Sequence, residues 1–255
     1  MILNGVLKIV AGLTAFVGFS LNAQARPEPP SRPSDPPAAR SEDRPLKASS
    51  EPNAAPLIFT PPGYAPSMPA PLIVLLHGYG TTPEDIVAPW KHTAVEFGAI
   101  LVAPRATRTV NHGQGFSWES VDVSDPVVVR AIDYVLAKYR VDKQRIVLCG
   151  FSQGGYLTYE LGLRHAKMFC GLIPIAGRYD PMRQAPTDVA ANQLPKVFIM
   201  VGGDDRTLES NRRAAKDFKA WGMSVKLNVY PGVGHHLPAH HDLEFRKALR
   251  LFWPN

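Results

Sequence analysis

Cysteine is scarce in this sequence, with only two among 255 residues. Cys149 ends one apolar run and Cys170 begins the next. If the two runs are neighbouring parallel strands, these residues lie at opposite strand ends, beyond the ~4.4–6.8 Å Cα separation that a disulfide requires. A disulfide between them is therefore excluded, and we expect two buried free thiols.

A basic run is also lacking, although the formal net charge is +6. Residues 57–255 hold 22 of the 28 cations and 17 of the 22 anions, so most of the charge is balanced there. No segment interleaves basic with aromatic residues. This distribution is typical of a mixed, solvated surface, and it excludes nucleic acid as an expected partner.

A long apolar run occurs only near the start of the chain. Lys8 precedes the run Ile9–Leu21, and the segment ends in Ala23-Gln-Ala25. The run is shorter than the ~20 residues that cross a bilayer, and its small-residue end is typical of a signal peptide. We expect residues 1–25 to be a secretory signal peptide cleaved after Ala25, which leaves a secreted or periplasmic protein without stable membrane association. The alternative is an uncleaved membrane anchor.

Proline is concentrated directly after this segment. Residues 26–56 contain nine of the 25 prolines, with serine, alanine and scattered charges of both signs. Such a composition buries too little apolar surface to offset the entropy lost on ordering. We expect a Pro-rich disordered linker over residues 26–56, and one folded domain over residues 57–255.

The expected domain alternates between two sequence patterns. Short apolar runs rich in Val and Ile predict strands buried on both faces of a mostly parallel sheet. They are Leu72–Leu76, Ala99–Ala103, Arg145–Cys149, Gly171–Ile175, Val197–Val201 and Val225–Tyr230. Helical patterns occur at Glu84–Phe97, Asp125–Tyr139, Gly155–Gly162, Glu209–Trp221 and Asp242–Phe252. This alternation predicts an α/β fold with helices on both faces of the sheet, and no long insertion indicates a large lid domain.

One strand-to-helix junction contains the pentapeptide Gly150-Phe-Ser-Gln-Gly154. The pattern G-x-S-x-G places a serine on a sharp turn that exposes its hydroxyl group. Small residues are needed on both sides because a Cβ there would collide as strand and helix pack together. Ser152 is therefore the candidate nucleophile.

A serine hydroxyl needs a base to remove its proton and a carboxylate to orient that base. The acid is expected in the loop that follows the strand Val197–Val201, later in the chain than Ser152. Asp205 is preferred because Gly202 allows a tight turn before it. Asp204 is the alternative, although an aspartate in a turn or at a helix cap describes it better.

The base is expected after the last predicted strand. Glycines at 232 and 234 let this loop curve back over the sheet edge, which brings His235 within reach of the serine. His236 is the alternative base. Four histidines lie within residues 235–241, but no cluster of carboxylates or cysteines has metal-ligand spacing, so we expect no metal.

Backbone N–H groups must stabilise the negative charge that develops on the carbonyl oxygen. One is expected from Gln153, at the start of the helix, where the helix dipole adds to the effect. The second is expected from Tyr79, in the loop His77-Gly-Tyr-Gly80 after the first predicted strand. His77 itself is expected to support this loop rather than to act as a base.

These segments together resemble the phospholipase/carboxylesterase family of the serine α/β-hydrolases, which includes relatives similar to dienelactone hydrolases and polyhydroxybutyrate depolymerases. The matching segments are Leu75–Gly80, Val141–Gly155, Val201–Asp205 and Pro231–His235. The acid loop departs from the family pattern, which often has His-Gly where this chain has Val201-Gly202.

The resemblance implies roles for residues of this chain. Ser152, Asp205 and His235 would form the catalytic triad, and the backbone amides of Tyr79 and Gln153 would bind the oxyanion. Relatives carry a tryptophan in the segment that corresponds to residues 110–123. The resemblance therefore implies a substrate pocket that includes Trp118, with His112 of the same segment as a second candidate. The alternative for the tryptophan is an ordinary packed aromatic.

The family cleaves carboxylic esters, often with short acyl chains, and some members cleave thioesters or lysophospholipids. The resemblance implies a serine carboxylesterase that acts through an acyl-enzyme on short-chain or otherwise accessible esters, small or polymeric, without metal or organic cofactor. The alternatives are a thioesterase or lysophospholipase, and an acyltransferase, because an alcohol can intercept the same acyl-enzyme. A catalytically silent binding protein is the least favoured.

Overall fold

The computed structural model describes residues 55–254, except 182–184 and 186–188. The predicted signal peptide, residues 1–25, and almost all of the predicted linker, residues 26–56, lie outside the described residues. None of the helices within the described part has both the length and the apolar content needed to cross a bilayer.

The described residues build a central sheet of seven strands and a separate two-stranded hairpin. In chain order the strands are β1 (Leu57–Phe59), β2 (Ala70–Leu76), β3 (Ile100–Ala103), β4 (Arg108–Val110), β5 (Gly115–Ser117), β6 (Val141–Phe151), β7 (Gly171–Ile175), β8 (Lys196–Gly202) and β9 (Val225–Tyr230). The sheet order is β1-β3-β2-β6-β7-β8-β9, and every pairing in it is parallel except that of β1 with β3. All six predicted strands are confirmed.

Six α-helices connect these strands in the described part of the chain. They are α1 (Pro83–Val87), α2 (Lys91–Phe97), α3 (Val121–Lys138), α4 (Gln153–Arg164), α5 (Leu208–Ala220) and α6 (His241–Phe252). The prediction of one helix over Glu84–Phe97 was wrong, because a 3₁₀ turn at Ala88–Trp90 divides it. Pro89 lies in that turn, and proline lacks the N–H that a continuous α-helix would need there.

The third helix begins four residues before its predicted start at Asp125. Proline is favoured in the first turn of a helix. The structure instead places Pro126 inside the helix. The additional turn buries Val121 and Ser124 in line with Val128, and this burial favours the longer helix.

The sheet is covered on both faces, as predicted. Alternate residues of β2 face opposite sides: Leu72 belongs to one apolar cluster and Ile73 to the other. Both residues are fully buried. Helices α3, α4 and α5 supply residues to the first cluster, and α1 and α6 to the second. A parallel sheet with helices on both faces is thereby established, and the carboxyl ends of its strands meet at one edge, where sites form in such folds.

Both cysteines are free. Cys149 is buried and pairs in register with Ile173 in the middle of the neighbouring strand, while Cys170 lies directly before the start of that strand. The prediction of two free thiols is confirmed, but Cys170 is only partly buried. Burial raises the pKa of both thiols, so neither is suited to act as a nucleophile.

Candidate active site

Ser152 lies on the turn between β6 and α4. Its backbone has φ of 56° and ψ of −111°, a conformation that non-glycine residues rarely adopt. The N–H of Ser152 donates a 2.8 Å hydrogen bond to the carbonyl of Ile175 at the end of β7, which helps to hold the strained turn. The serine therefore projects from the carboxyl edge of the sheet.

The glycines on either side of Ser152 are required by close backbone approach, as predicted. A Cβ at Gly150 would overlap the carbonyl of Gly154 and lie 2.8 Å from Oγ1 of Thr158. A Cβ at Gly154 would overlap the carbonyl of Leu76. Helix α4 can pack this closely against the ends of β2 and β6 only because both positions lack a side chain.

Replacing Gly154 by alanine is expected to destabilise the protein by about 3 kcal/mol, because backbone atoms must move to relieve the overlap. Gly98→Ala is the matched control, since Gly98 has a φ of +62° but no atom within 4 Å of the added Cβ. The control is expected to cost about 1 kcal/mol, from strain alone. Chemical denaturation of both variants measures the difference, and equal losses would contradict a steric requirement at Gly154.

Ser152, His235 and Asp205 form a continuous hydrogen-bonded row. His235 Nδ1 lies 2.8 Å from Asp205 Oδ2, and His235 Nε2 lies 2.7 Å from Ser152 Oγ. A carboxylate can only accept, so Nδ1 of the histidine carries the proton in this pair. In neutral His235 the other nitrogen, Nε2, is then the acceptor for the serine hydroxyl.

Asp205 is buried and held on both carboxylate oxygens. While Oδ2 accepts from His235, Oδ1 accepts from the backbone N–H of Thr207 at 2.8 Å and from its hydroxyl at 2.9 Å. Burial acts to raise the pKa of this carboxyl, but the hydrogen bonds from Thr207 and His235 outweigh it and hold the pKa below its ordinary value. The carboxylate is therefore ionised beside the histidine.

The alternative acid, Asp204, and the alternative base, His236, are not part of this hydrogen-bonded row. Asp204 is exposed, and its backbone N–H donates to the carbonyl of Val233. His236 is exposed, and its Nδ1 bonds the neighbouring carbonyl of Leu237. The geometry thus brings together Asp205 and His235. Among the described residues, no group of three His, Cys, Asp or Glu side chains is arranged to hold a metal ion.

The loop after β2 lies directly beside the serine. A Cβ at Gly78 would be 3.5 Å from Cβ of Ser152, so the loop passes beside the serine just before Tyr79. Gln153 is the first residue of α4, where backbone N–H groups lack helical acceptors. Within the described part of the chain, neither the Tyr79 nor the Gln153 N–H donates a hydrogen bond. Both are available to a developing negative charge.

The side chain of Gln153 has a second role that sequence reasoning missed. Its Oε1 accepts from the backbone N–H of Trp118 at 3.0 Å, and its Nε2 donates to the backbone carbonyl of Trp118 at 2.8 Å. The indole N–H of Trp118 then donates to the carbonyl of His77 at 2.9 Å. These contacts connect the serine turn with the loop after β2.

His77 supports this loop, as predicted from the sequence. It is fully buried, its Nδ1–H donates to the carbonyl of Gly78, and its Nε2 accepts from the N–H of Ala106. A ring with one donor and one acceptor nitrogen is neutral, and burial lowers its pKa below the ordinary value. No hydrogen bond to Ser152 is made by this histidine within the described chain.

Trp118 and His112 do not line the cleft at the serine. Trp118 is 2% exposed and packs against His77, with ring centroids 5.1 Å apart. His112 is exposed in the turn between β4 and β5, with a positive φ of 54°. Hydrogen bonds hold Trp118 beneath the loop after β2. Its contacts are those of a packed aromatic residue, which was the alternative to a place in the substrate pocket.

An open cleft of about 720 Å³ surrounds the serine. Its lining contains predicted site residues and several that sequence reasoning did not single out: Tyr79, Ser152, Gln153, Tyr156, Ala176, Arg178, Asp180, Arg206, Thr207, Ser210 and His235. Most of them follow the carboxyl ends of β2, β6, β7, β8 and β9. The signal that could have found them is therefore their position directly after a strand.

A parallel sheet covered on both faces, with a serine on a strained strand-to-helix turn, defines the class of α/β-hydrolases. The crystal structure of esterase PE8 has this fold, with a TM-score of 0.63 and 19% identity over 78% of this chain and 99% of that one. Residues 65–244 match the family model described as Phospholipase/Carboxylesterase. The chain belongs to the phospholipase/carboxylesterase family.

Curated relatives match over part of their length. The chain is 30% identical over 124 residues to the bifunctional acetylxylan esterase/xylanase XynS20E of Neocallimastix patriciarum, covering 47% of this chain and only 17% of that protein. It is 26% identical over 211 residues to "Probable carboxylesterase Os04g0669500" of Oryza sativa subsp. japonica, covering 72% and 78%.

Proposed function

We propose that this protein hydrolyses carboxylic esters through an acyl-enzyme on Ser152, with His235 as the base and Asp205 as the acid. The observation that carries the proposal is the hydrogen-bonded row of these three side chains, with distances of 2.7 and 2.8 Å. Nucleophile and base are within reach, and the base is oriented by a third group, which is the arrangement that activates a serine.

In the first half of the reaction, Ser152 Oγ attacks the ester carbonyl carbon while Nε2 of His235 takes the hydroxyl proton. The carbonyl oxygen becomes negatively charged and accepts hydrogen bonds from the amides of Tyr79 and Gln153. The imidazolium that forms is stabilised by the carboxylate of Asp205. It then gives its proton to the leaving alkoxide, and the alcohol departs.

In the second half, a water molecule takes the place of the alcohol. His235 removes a proton from this water as it attacks the acyl carbon, and the same two amides bind the oxyanion again. Collapse of this intermediate breaks the bond to Ser152 Oγ, which recovers its proton from the histidine. A carboxylic acid is released. No metal or organic cofactor takes part in either half.

Access to the cleft favours short or accessible esters. Tyr79 at its rim is 57% exposed, and the cleft is open to solvent. The relatives named above are a bifunctional acetylxylan esterase/xylanase and a protein named "Probable carboxylesterase", so ester substrates for this chain rest on family membership as well as on geometry. Thioesterase and acyltransferase activities would use the same acyl-enzyme and remain the alternatives.

The proposed site of action is outside the cytoplasm. This proposal rests on residues 1–25, whose pattern is typical of a cleaved signal peptide, and on the Pro-rich segment that follows. A secreted or periplasmic enzyme would then act on esters that reach it from the surroundings.

A fluorophosphonate probe tests the proposed nucleophile. Ser152 Oγ is expected to attack phosphorus and displace fluoride, so that one probe is attached to the peptide that contains Ser152 and ester hydrolysis stops in parallel. Peptide mapping by mass spectrometry locates the label. A protein that still hydrolyses p-nitrophenyl acetate after exposure to the probe, or that carries the label on another residue, would contradict the assignment of Ser152.

A further inference from the structure

Two arginines line the cleft on one side of the serine. Arg178 follows β7 and Arg206 follows β8, which are adjacent parallel strands, so both side chains begin at the same edge of the sheet. The β6 strand, which ends at the Ser152 turn, is the neighbour of β7 on its other side. Both arginines therefore line the same cleft as Ser152.

Neither guanidinium is neutralised by a residue of the part of the chain that the structure describes. Both arginines are exposed, and neither forms an ion pair or a hydrogen bond with any of the described residues. Asp180 is the one carboxylate in the lining of the described cleft, and it already has an interaction of its own. Asp205 lies beneath His235 and is used by it and by Thr207. The cleft thus carries an excess of positive charge.

The oxyanion amide of Tyr79 lies on the opposite side of the serine. Tyr79 follows β2, which neighbours β6 on the side away from β7. An ester whose carbonyl oxygen points to the amides of Tyr79 and Gln153 can therefore extend another part of the molecule over Arg178 and Arg206. Each guanidinium has paired N–H donors in one plane, the geometry that matches a carboxylate.

We propose that the cleft selects esters that carry a carboxylate in addition to the ester group, with Arg178 and Arg206 as the residues that bind it. The proposal rests on the proposed ester hydrolysis at Ser152. It concerns specificity, because the two arginines hold the charged end of the substrate and take no part in bond breaking. Their effect is expected mainly in KM, since the carboxylate is bound equally in the ground state and the transition state.

Pairs of substrates that differ in charge but have similar shapes test whether the cleft prefers a carboxylate. Mono-p-nitrophenyl adipate carries a free carboxylate on the acyl side, and its methyl ester is the neutral partner. On the alcohol side, 4-acetoxybenzoate is paired with methyl 4-acetoxybenzoate. In at least one pair the charged member is expected to have the higher kcat/KM after correction for hydrolysis in buffer, and the better pair identifies the side on which the carboxylate lies.

Variants that remove the charge of each arginine test whether these two residues cause the preference for charged esters. Arg178→Gln and Arg206→Gln are each expected to lower kcat/KM for the charged ester by up to about fivefold, because the contacts are solvent-exposed. Turnover of the neutral partner should change less than twofold. Arg178→Lys and Arg206→Lys should retain more of the preference than the glutamine variants. Added salt should reduce the preference in the parent protein, since exposed charges are screened.

Arg130→Gln is the control for net charge, because Arg130 is exposed on α3 and lies outside the cleft lining. It should leave the ratio of charged to neutral substrate unchanged. An equal loss in this control, or a ratio that the cleft variants do not alter, would overturn the proposal while leaving ester hydrolysis intact. A parent protein that hydrolyses none of the four esters would instead contradict the proposed function.

Discussion

The Ser152→Ala variant is expected to lose about 10⁶-fold in kcat for p-nitrophenyl acetate, the loss seen when the nucleophile of a Ser–His–Asp hydrolase is removed. Without Oγ no acyl-enzyme forms, and only binding and the oxyanion amides can still favour attack by water. The fold should be retained, because the change removes one hydroxyl and the backbone bond from Ser152 N–H to Ile175 is unaffected. Circular dichroism and the unfolding temperature check this.

Ser120→Ala is the matched control for this variant. Ser120 is exposed before α3, its side chain makes no capping hydrogen bond, and it lies outside the cleft lining. Its kcat should equal that of the parent protein. If Ser152→Ala, prepared in parallel and free of other esterases, retained even a tenth of the parent kcat, the acyl-enzyme mechanism at this serine would be wrong.

The second large effect is expected at the acid. Asp205→Asn should lower kcat by about 10⁴-fold, because the asparagine amide can donate to Nδ1 and thereby favour the tautomer in which Nε2 carries the proton. His235 could then no longer accept the proton of Ser152. The asparagine Oδ1 can still accept from Thr207, so folding should be preserved.

Asp204→Asn is the natural comparison, since it makes the same chemical change one residue away. Asp204 is exposed and makes no contact with the base in the described chain, so its kcat should stay within about twofold of the parent value. Measurement of both variants with one substrate decides between the two carboxylates. A larger loss at position 204 would reverse the assignment.

The central strands were predictable because each is buried on both faces. A run such as Leu72–Leu76 has no polar side to place in water, so its apolar residues alone indicate a strand between two layers of helices. The three-residue strands β1, β4 and β5 were not predicted. Their residues carry little local pattern, and they form strands because antiparallel partners are available: β3 for β1, and β4 and β5 for each other.

The hydrogen-bonded row at the site was predictable for a different reason. Ser152 lies in a pattern that only a sharp turn explains, and Asp205 and His235 each follow a strand after glycines. The residues around this row could not be predicted from the sequence in the same way. Trp118 is bound by Gln153, 35 residues further along the chain, and nothing near either residue indicates the pairing. Arg178 and Arg206 were not predicted as site residues, since arginine is common on any surface.

The two carboxylate oxygens of Asp205 have different partners: Oδ1 accepts from Thr207, and Oδ2 accepts from His235. Thr207, two residues away on the same turn, secures Oδ1 through short-range contacts that do not involve the histidine. In the proposed mechanism, the contacts from Thr207 would keep the carboxylate oriented while His235 takes a proton from Ser152 and gives it to the departing alcohol. Asp205 would then be a fixed acceptor for the imidazole at every step of the proposed cycle.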